Sequence, residues 1–468
     1  MQVLHAPAAL SAVFDDPNLV SCAGLAPVLA LGARAGLAEL TASHLRVPGE
    51  QGANPAVKVP ALVAGMVAGA DSIDDMDLLR HGGMGRLFSG VRAPSTLGIF
   101  LRAFSFGHVR QLDAVASRFL PRLAGQAPIL AGAEQITWLD LDDSLIRTYG
   151  YAKQAAARGY TGMKGLNALL ATASTPQAAP VIAAARLRRG NARSSRGAAT
   201  LIAEALHTVR RCGAAGLVVL RADAAFYTLA VITAARKAGA RFSVTAPHYT
   251  TVTRAIAAIH EDAWTPIRYP QAIFDQAEQR WISDAEVAEI PFTAFRTHRH
   301  RPEDQVSGRL IVRRVRRLNP RRDAGQDELF PGYRHHAIFT DSSLPMLQAE
   351  AQHRGHAVIE QVFADLKAGP LAHLPSGRFA ANSAWLVLAA MAFNLTRAAG
   401  ALASLRHAKA TTSAIRRQLI ILPARLAHSA RRLVLHLPSH WPWQPAWQQL
   451  FIKTCGPPIA PSPLATQP

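Results

Sequence analysis

Three carboxylates in separate parts of the chain could together hold divalent metal ions: Asp142, Asp223 and Glu360. Asp142 lies in ITWLDLDDS (136–144), Asp223 ends GLVVLRAD (216–223), and Glu360 lies in HRGHAVIEQVFADLK (353–367). Mg²⁺ and Mn²⁺ prefer oxygen ligands and retain several waters, so three converging carboxylates plus substrate phosphates suffice. Two such ions about 4 Å apart can activate a water and stabilise the leaving oxygen in phosphodiester cleavage. Each residue also has an ordinary reading. Asp140 and Asp143 compete with Asp142, which could instead cap a turn; Asp223 could cap the helix that follows; Glu360 could be solvated.

The stretch around Glu360 reads as an amphipathic helix. At roughly 100° per residue, His353, His356, Glu360 and Lys367 share one stripe about 60° wide. Val358, Ile359, Val362, Phe363 and Leu366 fill an apolar arc beside it. A carboxylate for metal, with lysine and imidazole for phosphate oxygens, fits such a stripe. A zinc pair at His353 and His356 lacks further nearby ligands.

The surrounding pattern must bring these residues together. Residues 1–130 read as helical, with PSTLGIFLRAF (94–104) opening on Pro94 and a Ser or Thr cap, and Arg86, Arg92, Arg102 and Arg110 around it. The pattern then alternates in ITWLDLDDS, LNALLATAS (166–174) and PVIAAARLR (180–188), three strand candidates. A helix over about 198–212, a strand GLVVLRAD, a helix over about 226–238 and a strand ARFSVTA (240–246) follow. That order predicts a mixed α/β sheet with helices on both faces, with sites at strand ends. Residues 248–333 read as a β-rich insertion, 334–377 as the return to the sheet and the Glu360 helix, and 378–435 as helical and basic. Residues 436–468 form a Pro-rich tail, partly loose.

Charge points to a polyanion. The chain of 468 residues carries 51 Lys and Arg against 31 Asp and Glu, a formal charge of +20. After Asp365 there is no Asp or Glu at all. Arg-rich composition suits bidentate phosphate contacts. RLRRGNARSSR (186–196), with Arg189 and Arg193, and RLIVRRVRRLNPRR (309–322), with Arg316 and Arg317, are candidate grips on a phosphate backbone. The three cysteines, Cys22, Cys212 and Cys455, offer no disulfide framework and fit a reducing cytoplasm. No signal-peptide pattern opens the chain, and the longest apolar run, around Ala384 to Leu395, is too short to span a bilayer. A soluble protein is expected.

In order, these motifs resemble the DDE transposases of bacterial insertion sequences. That group's glutamate helix carries tyrosine, two residues, arginine, three residues, glutamate, six residues, lysine. The spacing here is held by His353, His356, Glu360 and Lys367, with both first positions changed to His. Asp142-Asp143-Ser144 matches the group's first aspartate motif, and Arg221, Asp223 and Phe226 match its second. YGYAKQAAARGYTGMKG (149–165) and LPSHWPW (437–443) are also similar to its segments, so the resemblance covers about 135–443.

The resemblance implies an RNase H-like α/β domain interrupted by a β insertion, between helical N-terminal and C-terminal regions. It implies a cut-and-paste recombinase with two Mg²⁺ (or Mn²⁺) ions on Asp142, Asp223 and Glu360. The partners implied are double-stranded DNA, as terminal inverted repeats and target, bound by a homodimer in the bacterial nucleoid without any membrane. His353, His356, Lys367, Arg221, Arg189, Arg193, Arg316 and Arg317 are then DNA-contact candidates. Trp264 or Trp281 would stack on a flipped base, with core packing as the alternative. An inactive DNA-binding descendant, and a nuclease of the same fold, are the competing readings.

Overall fold

The computed structural model describes residues 11–149, 152–159, 162–268, 274–276, 280–281, 285–296, 301–316, 333–429 and 432–457. Its centre is a ten-stranded sheet. Eight strands carry the argument: β1 (Ile136–Arg147), β2 (Lys164–Ser174), β3 (Val181–Arg189), β4 (Leu217–Ala222), β5 (Arg241–Ala246), β6 (Ala285–Ala294), β7 (Val306–Arg316) and β8 (Tyr333–Thr340). They lie in the order β3-β2-β1-β4-β5-β8-β7-β6. β1 to β3 form an antiparallel meander, β4 and β5 run parallel to β1, and β8 returns antiparallel to β5. This is the mixed sheet flanked by helices expected of an RNase H-like fold.

The meander forms because apolar residues fill it on both sides. β2 is buried at every position after Lys164, so both faces of the sheet are covered there. The parallel strands need crossovers, and α1 (Ala198–Arg211) and α2 (Leu229–Lys237) supply them. Leu201, Ile202, Ala205, Leu206 and Val209 recur at helical spacing along α1 and are all buried. The strands read as an insertion extend the same sheet: β7 pairs with β8, and β6 with β7.

The Glu360 region departs from one continuous helix. α3 (Met346–Arg354) is followed by a 3₁₀ turn, Gly355–Ala357, and then α4 (Val358–Lys367). The turn lies where Gly355 lets the Arg221 side chain pass: a Cβ at 355 would come within 2.7 Å of that guanidinium. α4 buries Ile359, Val362, Phe363 and Leu366 of the predicted apolar arc, while Val358 is half-buried.

The C-terminal region holds α5 (Phe379–Ala403), packed against the N-terminal helices and β3 within one contiguous core. By length and composition α5 could cross a membrane, yet 94% of its apolar window is buried inside the fold. The expectation of helix throughout 378–435 is corrected here. Ala424–Ser429 and Arg432–His436 form a hairpin joined to Leu19–Val20. Pro423 stops the helix, and Leu422, Ala424 and Leu426 are buried in strand alternation. The tail also differs: Gln444–Cys455 is a helix, while residues 458–468 lie outside the described residues.

β3 is an edge strand, and α5 closes it. Asn394 accepts from the Ile182 N–H at 2.8 Å and donates to the Ile182 carbonyl at 2.8 Å. The side-chain amide thus satisfies both backbone groups that a further strand would take. Replacing it leaves a buried donor and acceptor unpaired, at about 1–3 kcal/mol each. Asn394→Ala is expected to lower the unfolding free energy by about 2–4 kcal/mol in a denaturant titration. A loss below about 0.5 kcal/mol would refute this role for the edge contact.

Candidate active site

β1 and β4 run parallel, with Asp140 opposite Arg221 and Leu141 opposite Ala222. Asp142 follows in β1 and Asp223 lies just past the end of β4, close enough for the Asp223 charge to act on Asp142. Asp223 thus sits at the carboxyl end of β4, the side on which sites form in sheets of this kind.

Their electrostatics reflect that closeness. Burial pushes the Asp142 carboxyl up to about 6, and the charges of Asp223 and Asp143 add to the rise. The Asp143 backbone N–H, donating to Asp142 Oδ1 at 2.7 Å, and His356 pull the other way. Asp223 is open to solvent, yet neighbouring protein displaces enough water to push it up too, with Asp143 adding to the shift. Asp223 caps a turn, as one reading expected, accepting from the Ala225 N–H at 2.9 Å. The turn is the 3₁₀ segment Ala224–Phe226, whereas α2 is capped by Thr228.

Asp140, the rival of Asp142, is fully buried. Arg221 Nε donates to its Oδ1 at 2.7 Å and an Arg221 terminal nitrogen to its Oδ2 at 2.6 Å. His356 Nδ1 lies 2.9 Å from Oδ1. Both Asp140 oxygens are therefore engaged, which leaves Asp142 as the accessible carboxylate of β1.

Arg221 is corrected as a DNA contact. It is 2% exposed, bonds the Gln352 carbonyl at 2.6 Å, and lies over the Trp138 ring at 4.9 Å. Its positive charge is consumed in holding β1, β4 and the end of α3 together. His353 is corrected for the same reason. It is buried, with Nδ1 2.9 Å from Ser243 Oγ and Nε2 3.0 Å from Thr245 Oγ1, both on β5. Burial, with His356 and Arg221 nearby, drives its pKa down to about 3, so the ring is neutral. His356 faces Asp140 and acts electrostatically on Asp142 and Asp223.

Glu360 is exposed and has no hydrogen bond or ion pair among the described residues. Among those residues, no group of three His, Cys, Asp or Glu side chains is close enough to hold a metal ion. Asp142 and Asp223 are thus near each other, and among the described residues Glu360 does not join them in a group of three. Lys367 reaches the same end of β1: its Nζ donates to Ser144 Oγ at 2.6 Å and feels the Asp142 charge.

Trp264 is corrected to core packing. It is 9% exposed, with the Arg314 guanidinium 4.2 Å from its ring centre and Glu261 and Glu286 holding that guanidinium in place. Trp281 belongs to a two-residue strand paired with Phe274–Asp275, and its side chain lies outside the described residues. The Arg316 side chain and all of Arg317 also lie outside them. Arg189 and Arg193 are exposed at the end of β3 and in the loop after it.

Sequence reasoning missed a linked trio, the half-buried Asp143 with the buried Asn167 and Arg188. The period-two alternation of a strand would have put Asp143 on the face opposite Asp142. Nothing in one sequence tells which cross-strand residues it meets.

Two outcomes follow. Arg221→Met leaves Asp140 buried without its cation, so a loss of about 3–5 kcal/mol is expected, largely recovered in Asp140→Asn/Arg221→Met, as a thermodynamic cycle would measure. His353 has a folded pKa below its unfolded value of about 6.5. The unfolded state therefore binds the extra proton, and stability falls as pH falls from about 6.5 towards 3. Relative to His353→Gln, the parent should lose about 1.4 kcal/mol per pH unit in that window; parallel pH profiles would disprove it.

The sequence matches the family model described as Transposase DDE domain group 1 over residues 5–455. No curated protein matches it. A family match across nearly the whole length agrees with the sheet order and the paired aspartates: the chain belongs to the transposase DDE domain family.

Proposed function

We propose that the protein is the cut-and-paste transposase of an insertion sequence, cleaving DNA at the element's ends and joining the freed strands to a target. The observation that supports this best is that Asp142, within β1, and Asp223, just past the end of the parallel β4, are close enough to interact, each carboxyl raised by burial and by neighbouring acids. Two hard oxygen donors that repel each other are a fitting site for Mg²⁺ or Mn²⁺. Asp142 and Asp223 would hold the metal, and Glu360 would complete the set from the rim. Bound there, the metal would supply a nucleophilic water or hydroxyl and stabilise the leaving oxygen.

The remaining residues orient that pair. Arg221 neutralises Asp140 and so keeps a third negative charge off the site. His356 sits between Asp140 and the carboxylate pair, attractive to both Asp142 and Asp223. Lys367, beside Ser144, offers a cation to a phosphate approaching the end of β1. The family acts on DNA; terminal repeats as substrate and a homodimer on paired ends are part of this proposal.

A second reading, a descendant that binds DNA without cutting, draws on Glu360 standing apart from the two aspartates. One assay separates them: Mg²⁺-dependent cleavage of a duplex carrying the DNA that flanks the coding region. Asp142→Asn and Asp223→Asn are each expected to lower cleavage at least about 10³-fold, the scale of lost charge stabilisation at a reacting phosphate, while leaving DNA binding intact. Glu360→Gln should fall as far. If the parent binds ends and never cleaves them, the second reading wins; if Asp223→Asn cleaves like the parent, the site lies elsewhere.

A further inference from the structure

On the face of β1 opposite Asp142, three strands contribute one polar residue each to a hydrogen-bonded row: Asp143 from β1, Asn167 from β2 and Arg188 from β3. Arg188 is 7% exposed and is the hub of this row. A terminal nitrogen donates to Asp143 Oδ2 at 2.7 Å. Nε and the same terminal nitrogen donate to Asn167 Oδ1 at 2.9 and 2.6 Å. The other terminal nitrogen donates to three carbonyls of the following loop: Arg193 at 3.3 Å, Ser194 at 2.7 Å and Arg196 at 2.7 Å. Asn167 in turn donates to Asp143 Oδ2.

The loop is thereby pulled down by its carbonyl side. Its other groups face outwards: the exposed guanidiniums of Arg189, Arg193 and Arg196, with Arg158 across the gap. Gly190 makes the approach feasible, since a Cβ there would meet the Gly165 carbonyl at 2.0 Å. Between the loop and the sheet lies a cleft of about 420 Å³, lined by Asp143, Asn167, Arg158, Arg193, Ser194, Ser195 and Ala225. Ala225 is the residue whose N–H holds Asp223. The cleft therefore runs from the basic loop to the turn that carries the second aspartate. Its one lining acid, Asp143, is already neutralised by Arg188.

We propose that loop 189–196 is a clamp for the phosphate backbone of the DNA strand leading into the Asp142–Asp223 pair, and that Arg188 is the positioning residue that sets it. Arg188 touches no DNA. It ties the loop to Asp143, whose own backbone N–H holds Asp142. One guanidinium thus fixes the phosphate path relative to the reacting carboxylates, which a lysine, with three donors on one atom, is unable to do. The inference rests on the DNA-cutting reading above and adds the strand's route.

The test measures binding of a fluorescein-labelled duplex carrying the flanking DNA, with Ca²⁺ in place of Mg²⁺, across a salt series. Arg193→Ala/Arg196→Ala removes exposed cations only, so the fold is kept. It should weaken binding and reduce the slope of log K against log salt by about 2, near 0.9 per lost phosphate contact. In Mg²⁺, its kcat at saturating DNA should stay within about threefold while KM rises, the pattern of lost uniform binding. Arg188→Lys keeps the charge and should lose the same slope, and adding the loop changes to it should cost little more, since the clamp is already untethered. An unchanged slope in the loop variant, or strictly additive effects of Arg188→Lys and the loop changes, overturns the inference while leaving the cleavage reading standing. A parent protein that binds no DNA overturns both.

Discussion

The buried pair of Asp140 and Arg221 is the contact on which the site depends. Two full charges sit with almost no exposure between β1 and β4, satisfied by each other, by the Gln352 carbonyl and by His356. Such a pair adds little net stability over an apolar replacement, but breaking one half is costly. What it contributes is geometry. It sets β4 beside β1 and draws the end of α3 and the turn at Gly355 onto the sheet. That places His356 against Asp140 in β1.

The same pair decides which acids remain chemically available. β1 carries Asp140, Asp142 and Asp143 within four positions, and each meets a different environment. Asp140 is neutralised by Arg221, and Asp143, on the other face, by Arg188. Among the described residues Asp142 has no cation in direct contact, only a backbone N–H and the more distant influence of His356 and Lys367. It is left as the unneutralised acid of the three, beside Asp223, and both carboxyls rise in pKa. A divalent cation would relieve that repulsion.

Around this centre the fold is held by covering edges and faces. α5 buries its length in the core and uses Asn394 to occupy the open edge of β3. At the other end of the sheet, β6 and β7 continue the pairing beyond β8. The long apolar α5 tolerates Asn382, Asn394 and Arg397 because each finds backbone partners: Asn382 at Ser376, Asn394 at Ile182, and Arg397 at Ala408 and Ala410.

The strands and helices of the α/β core were legible along the chain, because their signals are local: alternation in β1, helical spacing of apolar residues in α1 and α4. The sequence also carried the ordered aspartate motifs and the Glu360–Lys367 spacing, since spacing along one helix fixes a shared face. Only the tertiary structure decided what each polar residue does. Arg221 and His353 carried the same motif signal as Lys367, yet they are buried partners of Asp140, Ser243 and Thr245. Trp264 could stack or pack, and the Arg314 over its ring decided for packing. The hairpin at Ala424–His436 needed Leu19–Val20, some four hundred residues earlier in the chain, to complete its small sheet. Such pairings depend on charges and backbone groups brought together from distant positions, and local periodicity holds no record of them.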